Sequence, residues 1–345
     1  MNMPSLPDVT IDWENLGFSY QRTHCHLEHV WRDGAWGPGR LKKSPYLKLH
    51  IAATALHYGQ SAFEGLKAFC CQDGHLRVFR PQMNARRMNL TARRTCMPEI
   101  PEALFLAAIR KVVIANRNFV PPYGTGGSLY IRPLLFGSGA QIGVSPANEY
   151  IFLILVTPVG AYYKRGLKPV RAVVFDDYDR AAPLGMGHVK VAGNYAASLE
   201  PHLKAHEQGF AVELYLDAKT HRYIEEFGTS NFIGITRDGR YVTPKSPSIL
   251  PSVTNDTLQT LAKDMGMNVE ARQVAFDEVL EMSEVGACGT AVVITPVHEI
   301  VHGRTVIRVG PEDGCGPVLE KLYKRVTAIQ YGEVPDPHGW CVSLL

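Results

Sequence analysis

An excess of charge of either sign is missing. The 345 residues carry 36 basic and 33 acidic side chains, a formal net charge of +3. That near balance falls short of the electrostatic footprint of a dedicated nucleic-acid binder. A local site for a small anion needs far fewer charges. Long hydrophobic runs are missing as well. Apolar stretches such as Ile151–Val156 are much too short to span a bilayer. Cysteine is sparse at 7 residues, and no C-x-x-C occurs, so zinc ribbons and thioredoxin-like redox pairs have no support. Scattered thiols in odd number suit a reducing compartment. Residues Met1–Tyr20 lack a signal-peptide apolar core and carry Asp8, Asp12 and Glu14, unlike an acid-poor transit peptide. A cytoplasmic protein is expected, with a mitochondrial one left open. Neither a membrane nor a nucleic-acid partner is expected.

Several mechanistic motifs are also missing. Gly124-Thr-Gly-Gly127 and Gly137-Ser-Gly139-Ala-Gln-Ile-Gly143 lack both G-x-G-x-x-G spacing and a following Gly-Lys-Ser/Thr, so they read as ordinary loops. His202 and His206 have the spacing of a zinc pair, but Leu203 stands where H-E-x-x-H needs Glu. A solvated helix face with Lys204 and Glu207 is the better reading, and no metal site is expected. No G-x-S-x-G nucleophile elbow occurs.

Hydrophobic residues make up 46% of the chain and charged residues 20%, enough to build a sizeable core. The length suits about two domains. Irregular chain is expected over the first forty-odd residues, then a strand at Tyr46–Ala53 and a helix at Gln60–Phe69. A strand at His75–Arg80 leads into a helix opened by Pro81, because proline's missing donor costs nothing at a first helical position. A second helix is expected at Glu102–Asn118, with strong strands at Ser128–Phe136 and Glu149–Thr157. The Gly- and Lys-rich stretch after Pro158 marks a boundary. An N-terminal domain is therefore expected over 1–160, a linker over 161–169 and a C-terminal domain over 170–345. The latter would hold strands near Val170–Phe175, Ala211–Leu216, Tyr223–Glu226, Phe232–Thr236 and Ala291–Thr295. Its helices would lie at Tyr195–Glu207, Val253–Met265, Phe276–Met282 and Pro317–Ile329. Strands and helices mix without regular alternation, which favours an α+β fold.

A few residues stand out against this background. Lys190 lies between two valines, ahead of a small-residue turn and a helix start. It is either an edge lysine facing water or a partly buried amine able to attack aldehydes and ketones. Glu225 and Glu226 precede a turn between apolar strands. If buried, such a carboxylate must pair with a cation or a protonated heterocycle. The helix with Arg86, Arg87, Arg93 and Arg94 is an exposed basic face or the source of one phosphate-binding guanidinium. Ser252-Val253-Thr254 at a helix start and Gly289-Thr290-Ala291 at a strand start offer backbone N–H groups to an anion. A Schiff-base lysine, phosphate anchors and a ring-nitrogen partner suit pyridoxal phosphate.

Six segments occur in order: Tyr58-Gly-Gln-Ser-Ala-Phe63-Glu-Gly-Leu-Lys-Ala-Phe69, Ser128-Leu-Tyr130-Ile-Arg132-Pro133, Lys190-Val-Ala-Gly-Asn-Tyr195, Glu226-Phe-Gly-Thr-Ser-Asn231, Ile249-Leu-Pro-Ser-Val-Thr254 and Gly289-Thr-Ala-Val-Val-Ile-Thr-Pro296. With them the chain resembles the branched-chain amino acid aminotransferases of the fold-type IV pyridoxal-phosphate class, from about residue 45 to about 332. It looks closest to the eukaryotic, fungal type. The resemblance implies a two-domain α+β enzyme, like D-amino acid aminotransferase in fold, with pyridoxal 5′-phosphate at the domain interface. It implies that Lys190 carries the Schiff base and shuttles the α-proton. Glu226 would hold the pyridine nitrogen and Tyr195 the ring's phenolic oxygen. Arg87, with Val253, Thr254 and Thr290, would hold the phosphate. Tyr58, Phe63, Tyr130 and Tyr162 would line an apolar pocket, and N–H groups of Thr290 and Ala291 would take the α-carboxylate. Arg132 would attract the side-chain carboxylate of glutamate. Ile142 and Val144 match a loop that reaches the partner subunit's site, so a homodimer is implied. The implied reaction is transamination of L-leucine, L-isoleucine and L-valine with 2-oxoglutarate. The alternatives are a secondary-metabolism paralogue for a related apolar amino acid, or transamination of D-amino acids or (R)-amines. Two departures stand out. Val292, Thr295 and their neighbours hold no thiol where many animal members carry a C-x-x-C pair. Ala192 replaces a common glycine.

Overall fold

The computed structural model describes residues 10–160 and 167–344. The chain divides into two compact units, Met1–Tyr162 with Ala328–Leu345, and Tyr163–Thr327. The C-terminal domain expected over 170–345 therefore stops short. Strand Cys341–Ser343 pairs antiparallel with Leu76–Phe79 of the first unit. The Gln72 amide also donates to the Tyr331 carbonyl at 2.8 Å. Long-range strand pairing, which local pattern does not report, returns the tail.

The first unit is built on a nine-stranded sheet. Its main order is Cys341–Ser343, Leu76–Phe79, Leu66–Cys70, Ser128–Gly137, Tyr150–Val159, His26–Arg32 and Ala35–Trp36. All its named pairings are antiparallel, and Ser128–Gly137 runs in register with Tyr150–Val159 along its whole length. Side chains alternate across such a strand. Leu129, Ile131 and Leu135 face the core shared with helices Pro81–Arg94 and Glu102–Ala115, through Met88, Phe105, Ile109 and Val112. Tyr130, Arg132 and Leu134 consequently stand on the opposite face, where Leu134 packs with Phe136 and Leu153.

Three expectations here fail. The expected helix at Gln60–Phe69 is two strands, Ser61–Phe63 and Leu66–Cys70, both paired to Ser128–Gly137. Phe63 and Leu66 mimic helical spacing, but Gly65 breaks it. A Cβ at Gly65 would collide with the Tyr130 hydroxyl, so close approach to the neighbouring strand requires glycine. The expected strand at Tyr46–Ala53 reduces to an isolated bridge between Ala53 and Ala140, ahead of the short helix Thr54–Tyr58. The N-terminal region is not irregular throughout, because His26–Arg32 forms a sheet strand beside Tyr150–Val159.

In the second unit, Ile224–Phe227, Val212–Leu216, Val170–Val174, Val293–His302, Met282–Gly289 and Asn231–Thr236 pair in sequence. Ile224–Phe227 also pairs with Asn231–Thr236, so the six close into a ring. Apolar side chains such as Phe227, Phe232, Val285, Ala287 and Ile300 form one core cluster. Here Met282–Gly289 is a strand that sequence patterning missed, preceded by a 3-10 turn at Phe276–Glu281 in place of a helix. Its small residues obscure the pattern. They are required because a Cβ at Gly286 would press on Ile294, Leu319 and Ile233 at 3.1–3.3 Å.

Candidate active site

Each unit carries its own set of the expected residues. In the second unit, Lys190 ends a loop directly before helix Ala192–Ala197. Asn194 pins this corner by donating to the carbonyls of Met186 at 2.8 Å and Val189 at 3.0 Å. Tyr195 lies one turn into the helix. Lys190 Nζ donates to Tyr195 Oη at 2.6 Å and sits 4.9 Å from its ring centroid. The amine is half-buried. The spacing of five residues across a loop-to-helix corner is what brings amine and phenol together.

Glu226 sits on strand Ile224–Phe227, buried to 2% exposure. Its Oε1 accepts from the Leu250 amide at 2.8 Å and lies 3.0 Å from Arg180 Nη1. Its Oε2 accepts from Asn231 Nδ2 at 3.3 Å. Burial pushes this carboxyl up to about 7, while Arg180 and the Leu250 amide hold it down. Glu225 is a second buried carboxyl, also raised by burial. Its Oε1 accepts from the hydroxyls of Ser246 and Ser248, and its Oε2 is buried without a hydrogen-bond partner among the described residues.

The segment that binds Glu226 runs straight into helix Val253–Asp264. Ser252 caps it, its Oγ accepting from the Asn255 amide at 3.1 Å. The first amides of a helix, here those of Val253 and Thr254, lack intrahelical acceptors and favour anions. Thr290 and Ala291 lie in the turn between strands Met282–Gly289 and Val293–His302. Cys288 pairs with Asn231, and Asn231 with Glu226, which fixes the base of that turn relative to the carboxylate.

In the first unit, the arginine helix turns its arginines in two directions. Arg86 is exposed beside Glu102 and Arg93 beside Glu99. Arg87 turns inward, its Nε and Nη2 donating to the two oxygens of Glu64 at 2.7 and 2.8 Å. Glu64 is fully buried and also accepts from Asn84 Nδ2 at 2.8 Å. Arg132 lies 4.9 Å from the Phe63 ring centroid and 5.1 Å from that of Tyr130, and donates to Tyr130 Oη at 2.9 Å. Its Nε is buried without a partner among the described residues. Tyr58 donates to the Ile142 carbonyl, tying an expected pocket residue to the loop expected to reach a partner subunit's site. Ile142 and Val144 are 72% and 89% exposed. Tyr162 lies outside the described residues.

Reasoning from sequence missed Arg180, Asn194, Asn231 as a ligand of Glu226, and Glu64. Glu64 was legible only as a neighbour of Phe63. Arg180 follows Asp176, Asp177 and Asp179, a context that reads as solvated surface. The donor set suits a phosphorylated pyridine aldehyde. It combines an amine, a phenol bonded to it, a buried carboxyl poised near neutrality and a capped helix start.

The amino-transferase class IV family matches residues 61–300. A branched-chain-amino-acid aminotransferase of Haemophilus influenzae is 50% identical over 340 residues, 97% of this chain and 99% of that protein. The transaminase htyB of Aspergillus rugulosus is 39% identical over 359 residues, 99% of this chain and 95% of that one. Whole-chain identity thus leans to the bacterial relative over the fungal one. A crystal structure of Escherichia coli branched-chain amino acid aminotransferase superposes with a TM-score of 0.76 at 29% identity, covering 92% of this chain and all of that one. The scaffold is accordingly the two-domain α+β fold of the fold-type IV transaminases. Within that class, the chain belongs to the amino-transferase class IV family.

Proposed function

We propose that this protein transfers the amino group of L-leucine, L-isoleucine or L-valine to 2-oxoglutarate, giving branched-chain 2-oxo acids and L-glutamate. The observation that carries it is the Lys190–Tyr195 pair in the same unit as buried Glu226, on a chain 50% identical to a branched-chain aminotransferase. Pyridoxal 5′-phosphate, when bound, supplies an aldehyde that exchanges amino groups and a ring that accepts the electron pair left at the substrate Cα.

Everything else is work for the chain's own residues. Lys190 Nζ takes the proton from the substrate Cα and later returns one, as general base and acid. Tyr195 orients that amine and meets the ring's phenolic oxygen. Glu226, held by Leu250 and Asn231, would hold a proton at the ring nitrogen of the bound cofactor. Arg87, the amides of Val253 and Thr254, and Thr290 would hold the phosphate, and the Thr290 and Ala291 amides would hold the α-carboxylate. Tyr58, Phe63, Tyr130 and Tyr162 shape the side-chain pocket.

One pocket must then accept both leucine and glutamate. Arg132 stacks its guanidinium on Phe63 and Tyr130, which leaves an apolar surface with charged donors at its rim. Arg132→Met is expected to lower kcat/KM for 2-oxoglutarate by about 10- to 100-fold, the value of a charge-assisted hydrogen bond. The leucine half-reaction should change by about threefold or less, since hydrophobic contact is retained. Stopped-flow measurement of the two half-reactions separates them, and equal losses in both would remove Arg132 from this role.

The exposed Ile142 and Val144 support a homodimer in which this loop completes a partner's site. No helix among the described residues is long and apolar enough to cross a membrane. The test of the function is the absorbance of the purified protein with L-leucine and with D-leucine. A cofactor band that bleaches only with the L-isomer, together with glutamate formation from 2-oxoglutarate, is the expected result. Bleaching only by D-leucine or an (R)-amine would overturn the substrate assignment.

A further inference from the structure

Arg180 has no place in the scheme above, yet its surroundings are unusually demanding. Its side chain is 5% exposed. Nη1 lies 3.0 Å from Glu226 Oε1 and donates to the carbonyls of Gly187 at 3.2 Å and Ser248 at 3.1 Å. Gly187 is three residues before Lys190. Ser248 is two residues before Leu250, whose amide binds the same Oε1. One guanidinium therefore fastens the lysine loop, the loop before helix Val253–Asp264 and the buried carboxylate. The fit leaves no slack, because a Cβ at Gly187 would collide with the Ser248 carbonyl.

A buried carboxylate without a compensating charge is neutralised by taking up a proton. Among the described residues, four titratable groups act on Glu226 or are acted on by it. Arg180 comes from the loop after strand Val170–Val174, Lys190 from the end of that loop, Glu225 from its own strand and Cys288 from strand Met282–Gly289. Glu225 opposes ionisation and Lys190 supports it less strongly than Arg180. Burial raises the Cys288 thiol, so it stays protonated and brings no charge.

We propose that Arg180 is a positioning residue for transamination, whose ion pair favours the ionised form of Glu226 and aims it so that the carboxylate is available to the cofactor's ring nitrogen. The inference rests on the reading of Glu226 as that nitrogen's partner. Without Arg180, Glu226 takes up its proton at higher pH. With the cofactor bound, the proton shared by the carboxyl and the ring nitrogen would then rest on Glu226, leaving the nitrogen uncharged. The acid limb of kcat/KM moves to higher pH.

The test compares Arg180→Gln, which can still donate to the Gly187 and Ser248 carbonyls, with Arg180→Lys, which keeps the charge. Two readouts need no turnover. One is the dissociation constant for added pyridoxal phosphate. The other is the infrared carbonyl stretch of a protonated buried carboxyl in the cofactor-free protein. Arg180→Gln should keep that band to higher pH than the wild type does, and the band should be lost on adding Glu226→Gln. Its cofactor affinity should fall about tenfold or more, the factor carried by one unit of pKa, and its acid limb should shift upward. Arg180→Lys should recover most of both. Wild-type affinity and limb in Arg180→Gln overturn the proposal. So do equal impairment of the two variants, or failure of both to fold, since either marks a purely structural arginine. Wild-type affinity and limb in Glu226→Gln alone would bring down the ring-nitrogen reading itself, a distinguishable outcome.

Discussion

Lys190→Ala is expected to abolish turnover while leaving a folded protein. The amine is half-buried, ends a loop and packs no core, so its truncation should alter stability by only about 0.5 kcal/mol. The corner itself is held by Asn194 and by the helix start, which the substitution does not touch. Activity is another matter. A positioned general base contributes about 10²–10⁴-fold by itself, and loss of the covalent attachment adds to that. The overall fall in kcat should therefore reach about four orders of magnitude or more. Melting temperature, circular dichroism and the single-turnover absorbance change with L-leucine check the two halves of this statement. Retention of even a tenth of the wild-type rate would sink the assignment of Lys190. A small primary amine added to the variant should restore a trace of activity, because it supplies the missing base but not its position.

The same corner illustrates what local sequence can carry. Lys190 and Tyr195 are five residues apart, and a loop-to-helix turn is enough to join them. Helix starts at Pro81 and Ser252 were legible because capping chemistry is local. Ser128–Gly137 and Tyr150–Val159 were legible because buried central strands are almost continuously apolar. The stretch at 60–69 was not. Its helical spacing is an accident of Phe63 and Leu66, and the strand pairing that overrides it comes from residues some 70 positions later. Arg180 and Glu226 are likewise joined only by the closure of the six-stranded ring and the loops above it. No window short enough to read by pattern contains both, and a cluster of aspartates around Arg180 disguises it as surface. The last strand, Cys341–Ser343, pairs with residues more than 260 positions earlier. The motif segments could still be matched, because each is contiguous. Of the residues missed, Glu64, Asn194 and Asn231 lie inside those segments but meet partners that the segments do not reveal, and Arg180 lies outside them.

Glu64 is the clearest of these, and its removal should produce the second large effect. It is fully buried, and three donors from helix Pro81–Arg94 converge on it: Arg87 Nε at 2.7 Å, Arg87 Nη2 at 2.8 Å and Asn84 Nδ2 at 2.8 Å. Glu64→Ala leaves the Arg87 guanidinium inside without its countercharge, which costs about 3–5 kcal/mol. For a unit of this size that corresponds to a fall in melting temperature of about 6–20 °C. The guanidinium also loses the fork that fixes its plane, so cofactor retention should weaken by about tenfold or more. Stability and cofactor binding can be separated by removing both charges. Glu64→Leu with Arg87→Met buries no unpaired ion and should regain most of the lost melting temperature, since an apolar pair of similar volume is often as stable as a buried ion pair. It should not regain cofactor affinity, because no guanidinium remains to meet the phosphate. Calorimetry gives the first quantity and equilibrium dialysis against pyridoxal phosphate the second. If the doubly substituted protein bound the cofactor as tightly as the wild type, Arg87 would have no part in holding the phosphate, and the Glu64 pair would be a structural feature of the first unit alone.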